Sequence, residues 1–154
     1  MYIDLTYRKR EEEEKRKVFL KEHKRLAAVS QQQMMKSVVE RKKKQETEKK
    51  GLVILQASYG DPTAIGIPEK VKNMEGAIDV TIPLQFMVAD SKLRLYAGSK
   101  EEYMGFWKGI EGDVKLYVRY SYNEKVYEVM VEGDEPLYLP TFRANCMGEE
   151  KDVC

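Results

Sequence analysis

From Arg8 to Lys50 the chain contains no glycine and no proline. It is built mostly from Glu, Lys, Arg, Gln, Leu and Met, which favour helix because they lose little rotamer freedom there. Phe19, His23, Leu26, Val29, Met34 and Val38 recur at spacings of three to five and draw an apolar stripe along one helix. A continuous helix over this stretch is on the order of 60 Å long at 1.5 Å per residue. That exceeds one small domain, so part of it is expected to project, bend or pair with another helix. Gly51 follows the cationic Lys49–Lys50, the punctuation expected at a helix C-terminus.

Charge divides the chain at the same point. Arg8 to Lys50 holds 16 Lys/Arg against 8 Asp/Glu, a net of +8. The whole chain carries +1, so the remainder carries −7. The basic segment with its apolar stripe is compatible with peripheral association at an acidic membrane surface, but its apolar residues are few. A coiled-coil or docking helix fits them better. No apolar run approaches the roughly 20 residues of a membrane-spanning helix. Arg8–Arg10 running into Glu11–Glu14 fits neither a secretory signal nor a mitochondrial presequence.

Beyond Gly51 the hydrophobic period changes to two. Leu52–Tyr59 is an apolar strand closed by the turn signal Gly60–Asp61–Pro62, and Asp61 to Gly76 follows as a loop. Ile78, Val80, Ile82, Leu84, Phe86 and Val88 alternate as a long strand, with Pro83 at an edge or bulge. Leu93 and Leu95 continue the alternation. Ser99 and Glu102 match a capping box for a short helix. Val114–Tyr120 and Val126–Val131 pair around Asn123–Glu124, and Leu137–Leu139 supplies a last short edge. The expected class is α+β: a long N-terminal charged helix, then an antiparallel β-meander or sandwich-like domain with a short helix. Four segments are expected: 1–7, the end of a preceding β region, because Tyr2–Tyr7 alternates as a lone strand; 8–50, the charged helix; 51–140, the β domain; and 141–154, a flexible acidic tail.

The chemistry of an active site does not assemble. His23 is the one histidine, so no Ser–His–Asp or Cys–His site has support. Cys146 and Cys154 are two tail thiols without zinc-ligand spacing, and a reducing compartment is the simpler assumption. The glycines lack the G-x-x-x-x-G-K-[ST] spacing of a phosphate loop. Adjacent acids such as Glu101–Glu102 and Asp134–Glu135 read as exposed cap and turn residues. Enzymatic activity, a cofactor and a metal are not expected. Tyr117, Tyr120, Tyr122 and Tyr127 with Arg119 could stack single-stranded nucleic acid, but Tyr is a good strand former and the acidic body repels phosphate. Nucleic acid is therefore not an expected partner. The expected contact residues for a protein partner are Phe19, Leu26, Val29, Met34 and Val38 on the stripe, with Phe106 and Trp107 beyond it.

The order of features resembles the C-terminal region of the DnaJ homologue subfamily C member 11 family. The matching pieces are the charged helix ending at Gly51, Leu52–Gly60 (LVILQASYG), Ile78–Lys100 (IDVTIPLQFMVADSKLRLYAGSK), Gly105–Trp107 (GFW) and the Leu/Tyr/Val-rich hairpin. The resemblance implies a parent co-chaperone with an N-terminal J domain, associated with the mitochondrial outer membrane and with assemblies that organise cristae and membrane contacts. The His-Pro-Asp motif of a J domain is absent: His23 is followed by Lys24. Stimulation of an Hsp70 ATPase would reside in a J domain outside this sequence. Two readings stand: a non-catalytic interaction or scaffolding domain of such a co-chaperone, or a structural subunit of a larger assembly that docks through its long helix with no chaperone role. The cytoplasm is the alternative to the mitochondrial address that the resemblance implies.

Overall fold

The computed structural model describes residues 2–110, 112–141 and 144–146, with side chains from residue 8 onward. Helix α1 runs Tyr2–Lys49, about 72 Å at 1.5 Å per residue. The strand expected at Tyr2–Tyr7 is helical instead. A strand needs a neighbour to satisfy its backbone, whereas a helix satisfies its own. Glu11, Glu12 and Glu13 stand four residues before Lys15, Arg16 and Lys17, the favourable order for pairing on a helix surface. This supports α1 where nothing packs on it: residues 8–24 are all exposed.

The helix ends in a Schellman motif. The Gly51 N–H donates to Glu46 O at 2.8 Å and the Lys50 N–H to Thr47 O at 3.2 Å. Lys50, not Gly51, takes the left-handed conformation (φ 58). Gly51 serves close approach, since a Cβ there would lie 2.1 Å from Glu46 Oε2 and 2.2 Å from Ser91 Oγ. Lys50→Gly should stabilise the fold by about 0.5–1 kcal/mol in urea unfolding, because the strained position loses its Cβ. The exposed Lys50–Glu124 pair (3.5 Å) that it removes contributes little.

The remaining elements are β1 (Val53–Gly60), α2 (Pro62–Ile65), α3 (Pro68–Lys72), β2 (Ala77–Asp79), α4 (Thr81–Met87), β3 (Leu93–Leu95), β4 (Lys115–Tyr122), β5 (Lys125–Glu132), β6 (Leu137–Leu139) and β7 (Asn145–Cys146). The chain is α+β, a long helix followed by antiparallel sheets. The five-stranded sheet has the order β2-β1-β4-β5-β7, and β3 and β6 form a separate ribbon. Meander connectivity therefore holds within β4–β5, where Asn123 (φ 53) and Glu124 (φ 66) make the tight turn, but β1 reaches β4 across an intervening excursion. Tyr59, Leu116, Val118 and Tyr120 on one face of the large sheet share a core with Leu93, Leu95, Leu137 and Leu139 of the ribbon and with Phe106.

The long strand expected from Ile78 to Val88 divides after Asp79. The carboxylate of Asp79 accepts the Thr81 N–H at 2.8 Å and starts α4, and Pro83, lacking an N–H, falls in its first turn. An alternating apolar run also contains the i, i+4 series Val80, Leu84 and Val88, all buried, so one pattern serves either structure. Position in the sheet decides. Below a bulge between Ile54 and Gln56, β1 has no strand on its outer edge. Helix α4 lies there and supplies side chains in place of a strand. The Ile54 N–H donates to Gln85 Oε1 at 2.7 Å, Gln85 Nε2 donates to Leu52 O, and the Ala57 N–H donates to Thr81 Oγ1 at 2.9 Å.

The helix expected after Ser99 is a series of turns. Lys100 is fully buried and its ammonium donates to Gly133 O (2.8 Å) and Glu135 O, which draws this segment onto the β5–β6 turn. Burial lowers its pKa, partly offset by Asp134 and Glu135. In the tail, Asn145–Cys146 pairs with Tyr127 and Glu128. Cys146 is disulfide-bonded rather than a free thiol; Cys154 and the rest of the expected flexible tail, 147–154, lie outside the described residues.

Candidate functional site

Helix α1 lies on the body along a regular stripe: Ala28, Gln32, Met35, Val39, Lys42 and Glu46, alternately four and three residues apart. Half of these are polar, and with Gln31 they bond the body. Gln31 Oε1 accepts the Gly105 N–H at 2.7 Å, and Gln32 Nε2 donates to Gly105 O and Asp79 O, both at 2.8 Å. The Lys42 ammonium donates to Phe86 O and Val88 O at the C-terminal end of α4, where a cation suits the helix dipole, and lies 5.3 Å from the Phe86 ring centroid. The buried Glu46 carboxylate accepts from Ser91 N (2.9 Å) and Ser91 Oγ (2.7 Å).

This docked stripe is not the apolar stripe expected from the sequence. Phe19, Leu26 and Met34 are exposed, at 68%, 54% and 78%. Val38 is half-buried beside Val39, and half-buried Val29 lines a separate cleft with Gln56, Val71 and Ile78. Hydrophobic periodicity missed the docked face because polar side chains bonded to backbone fix it. His23 is exposed and stacks with Phe19, ring centroids 6.3 Å apart.

Phe106 and Trp107 do face the helix. A cleft of about 540 Å³ separates α1, at Lys21, Lys24, Ala28 and Gln31, from Tyr103, Met104, Phe106, Trp107 and Ile110. The loop is fixed from several sides. Gly105 (φ 83) is held by Gln31 and Gln32, the Tyr103 hydroxyl accepts the Tyr96 N–H at 3.1 Å, and buried Phe106 meets Tyr59 edge-on at 5.4 Å. Trp107 is half-buried and its indole lies over Gly109, where a Cβ would come within 2.4 Å of the ring. Phe106 is thus a core residue, while Trp107 packs on the core and keeps an open edge to the cleft. Lys21, Lys24 and Lys108 line it together with Glu101 and Glu102. Rigid aromatic surface bordered by charges of both signs is suited to holding another chain.

The tyrosines of the β4–β5 hairpin do not form one stacking surface. Tyr120 is buried and stacks with Tyr127 at 5.4 Å, whereas Tyr117, one position out of phase, donates its hydroxyl to Glu128 at 2.9 Å. Burial raises the pKa of Tyr59, Tyr117 and Tyr120. A raised folded-state pKa gives stability that is fully present below the unfolded value near 10 and is lost as pH rises through the folded value. The lowered pKa of Lys100 acts in the opposite sense, but one amine opposes three phenols. Denaturation monitored by circular dichroism should therefore show stability falling above about pH 10, less steeply in Tyr120→Phe. Among the described residues no group of three His, Cys, Asp or Glu could hold a metal ion, and no described helix is long and apolar enough to cross a membrane.

The family model for the C-terminal region of DnaJ-like protein C11 matches residues 8–140, from the exposed part of α1 through the last strand of the ribbon. The chain belongs to this family. It is 34% identical over 103 residues to the DnaJ homolog subfamily C member 11 homolog of Dictyostelium discoideum, covering 60% of this chain and 17% of that protein. It is 40% identical over 97 residues to DnaJ homolog subfamily C member 11 of Mus musculus and 38% over 95 residues to that of Pongo abelii, in each case 60% of this chain and 16% of the relative. The chain thus matches about a sixth of the length of these DnaJ C11 proteins. No solved structure matches it.

Proposed function

We propose that this DnaJ C11 C-terminal domain is a non-catalytic protein-interaction module of a co-chaperone, and that its contact surface is the cleft between α1 and the 101–110 loop. The observation that carries this reading is Trp107, an aromatic anchor held by Gly109 and open at the face of a cleft that α1 completes. Aromatic side chains fixed in advance bind with little further loss of conformational freedom. The proposal extends to an address at the mitochondrial outer membrane and to membrane-organising complexes as partners; what supports that part is the family resemblance.

The test is co-purification of crosslinked partners from mitochondrial membranes with the parent protein. Trp107→Ala should lower partner recovery at least about tenfold, the loss typical of a contact anchor. Met34→Asp, exposed on α1 and outside the cleft lining, should leave recovery unchanged. Equal recovery with Trp107→Ala would remove the cleft from the account. Partners recovered equally well by a cytosolic form, and none from mitochondria, would overturn the address while sparing the cleft.

A further inference from the structure

The exposed arm of α1 carries an ordered pattern that the cleft does not use. Phe19 lies nine residues from Ala28, about 180° around the helix at 100° per residue, so it points away from the body. Leu26 lies within about 20° of the same direction, and Lys15 and Glu22 flank it on one side. Val18 and Leu20 beside Phe19 are also exposed, at 66% and 49%.

We propose that this face is a self-recognition seam: the arm of one copy pairs antiparallel with the arm of a second copy about a two-fold axis near Phe19. Charge order selects this arrangement. An in-register parallel pair sets each Glu11–Glu14 run beside its twin and each Lys15–Lys17 run likewise, like against like. The antiparallel pair sets Glu13 and Glu14 of one arm level with Arg25 and Lys24 of the other. Lys15 of each copy then lies one residue, about 1.5 Å, from the level of Glu22 of the other on the same flank, twice by symmetry and within reach of these long side chains. Phe19 meets Phe19 at the centre. Glu22 already bonds Arg25 within its own helix at 2.9 Å, an exposed pair that is readily shared. The body sits on the far side of α1, so the two bodies face outward and do not obstruct the seam. A contact this short, with one aromatic layer at its centre, forms a weak and salt-sensitive dimer.

Sedimentation velocity on the 154-residue chain at low ionic strength tests this. The expected result is a concentration-dependent shift toward twice the monomer mass, which Phe19→Asp abolishes. Lys15→Glu and Glu22→Lys should each weaken association about tenfold, because each brings two like-charge contacts together. Their equimolar mixture should recover association, since each then faces its complement. These positions are exposed, and unchanged circular dichroism will show that the variants fold. A chain that stays monomeric throughout, a dimer indifferent to Phe19→Asp, or a mixture no tighter than its components would each overturn the seam.

Discussion

Gln85→Leu should destabilise the domain by about 3–5 kcal/mol. Gln85 is nearly completely buried, at 1% exposure, yet its carboxamide is its reason for being there. It accepts from Ile54 N–H and donates to Leu52 O, closing the edge of β1 below the point where β2 ends. Leucine fills comparable space but offers neither group. Each buried backbone group left without a partner costs about 1–3 kcal/mol, and two are orphaned together. Urea unfolding gives the direct measure. Protection should be lost first at this edge: hydrogen exchange at Ile54 should accelerate before exchange within the β4–β5 hairpin. A loss below about 1 kcal/mol would mean that the edge does not depend on this residue.

Gly105→Ala should cost about 2–4 kcal/mol and loosen α1 from the body. Two effects add. The φ of 83 is unfavourable for any residue with a Cβ, and the new Cβ would lie 2.6 Å from Pro83 Cγ and 3.0 Å from Gln32 Cγ. Pro83 belongs to α4 and Gln32 to α1, so the added methyl group pushes the loop that carries Trp107 away from both helices and shifts that wall of the cleft. The Gln31 and Gln32 hydrogen bonds to Gly105 lie in the same place and should lengthen or break. Urea unfolding reads the stability. A spin-label pair at Lys24 and Lys108 reads the cleft, and its distance distribution should broaden in the variant and stay narrow in the parent chain.

What the sequence disclosed, and what it concealed, follow from how each feature is encoded. The helix from Arg8 to Lys49 was legible because a long absence of Gly and Pro leaves little else. The β1 strand was legible because a short apolar, β-branched run meets the turn signal Gly60–Asp61–Pro62, and the β4–β5 hairpin because two apolar strand patterns flank Asn123–Glu124. The segment around Val80–Val88 was ambiguous in principle: its apolar residues satisfy periods of two and of four, and the edge that Gln85 completes lies some thirty residues upstream. The docking face of α1 was concealed for a related reason. Gln31, Gln32, Lys42 and Glu46 read as a solvated helix surface until the backbone groups they meet are in place. Buried Lys100 gave no sequence signal beyond a capping pattern that its carbonyl partners override. Of the candidate site, Phe106 and Trp107 were visible as an isolated aromatic pair, but the α1 wall opposite them was not.

Photocrosslinking from Met104 tests the central claim most directly. Met104 is 52% exposed and lines the cleft beside Trp107. A benzophenone amino acid placed there in the parent protein should give a discrete protein adduct that disappears with Trp107→Ala. The same probe at Tyr138, exposed on the β3–β6 ribbon, should give none. An adduct from Tyr138 but not from Met104, or one from Met104 that survives Trp107→Ala, would contradict the assignment of the cleft as the contact surface.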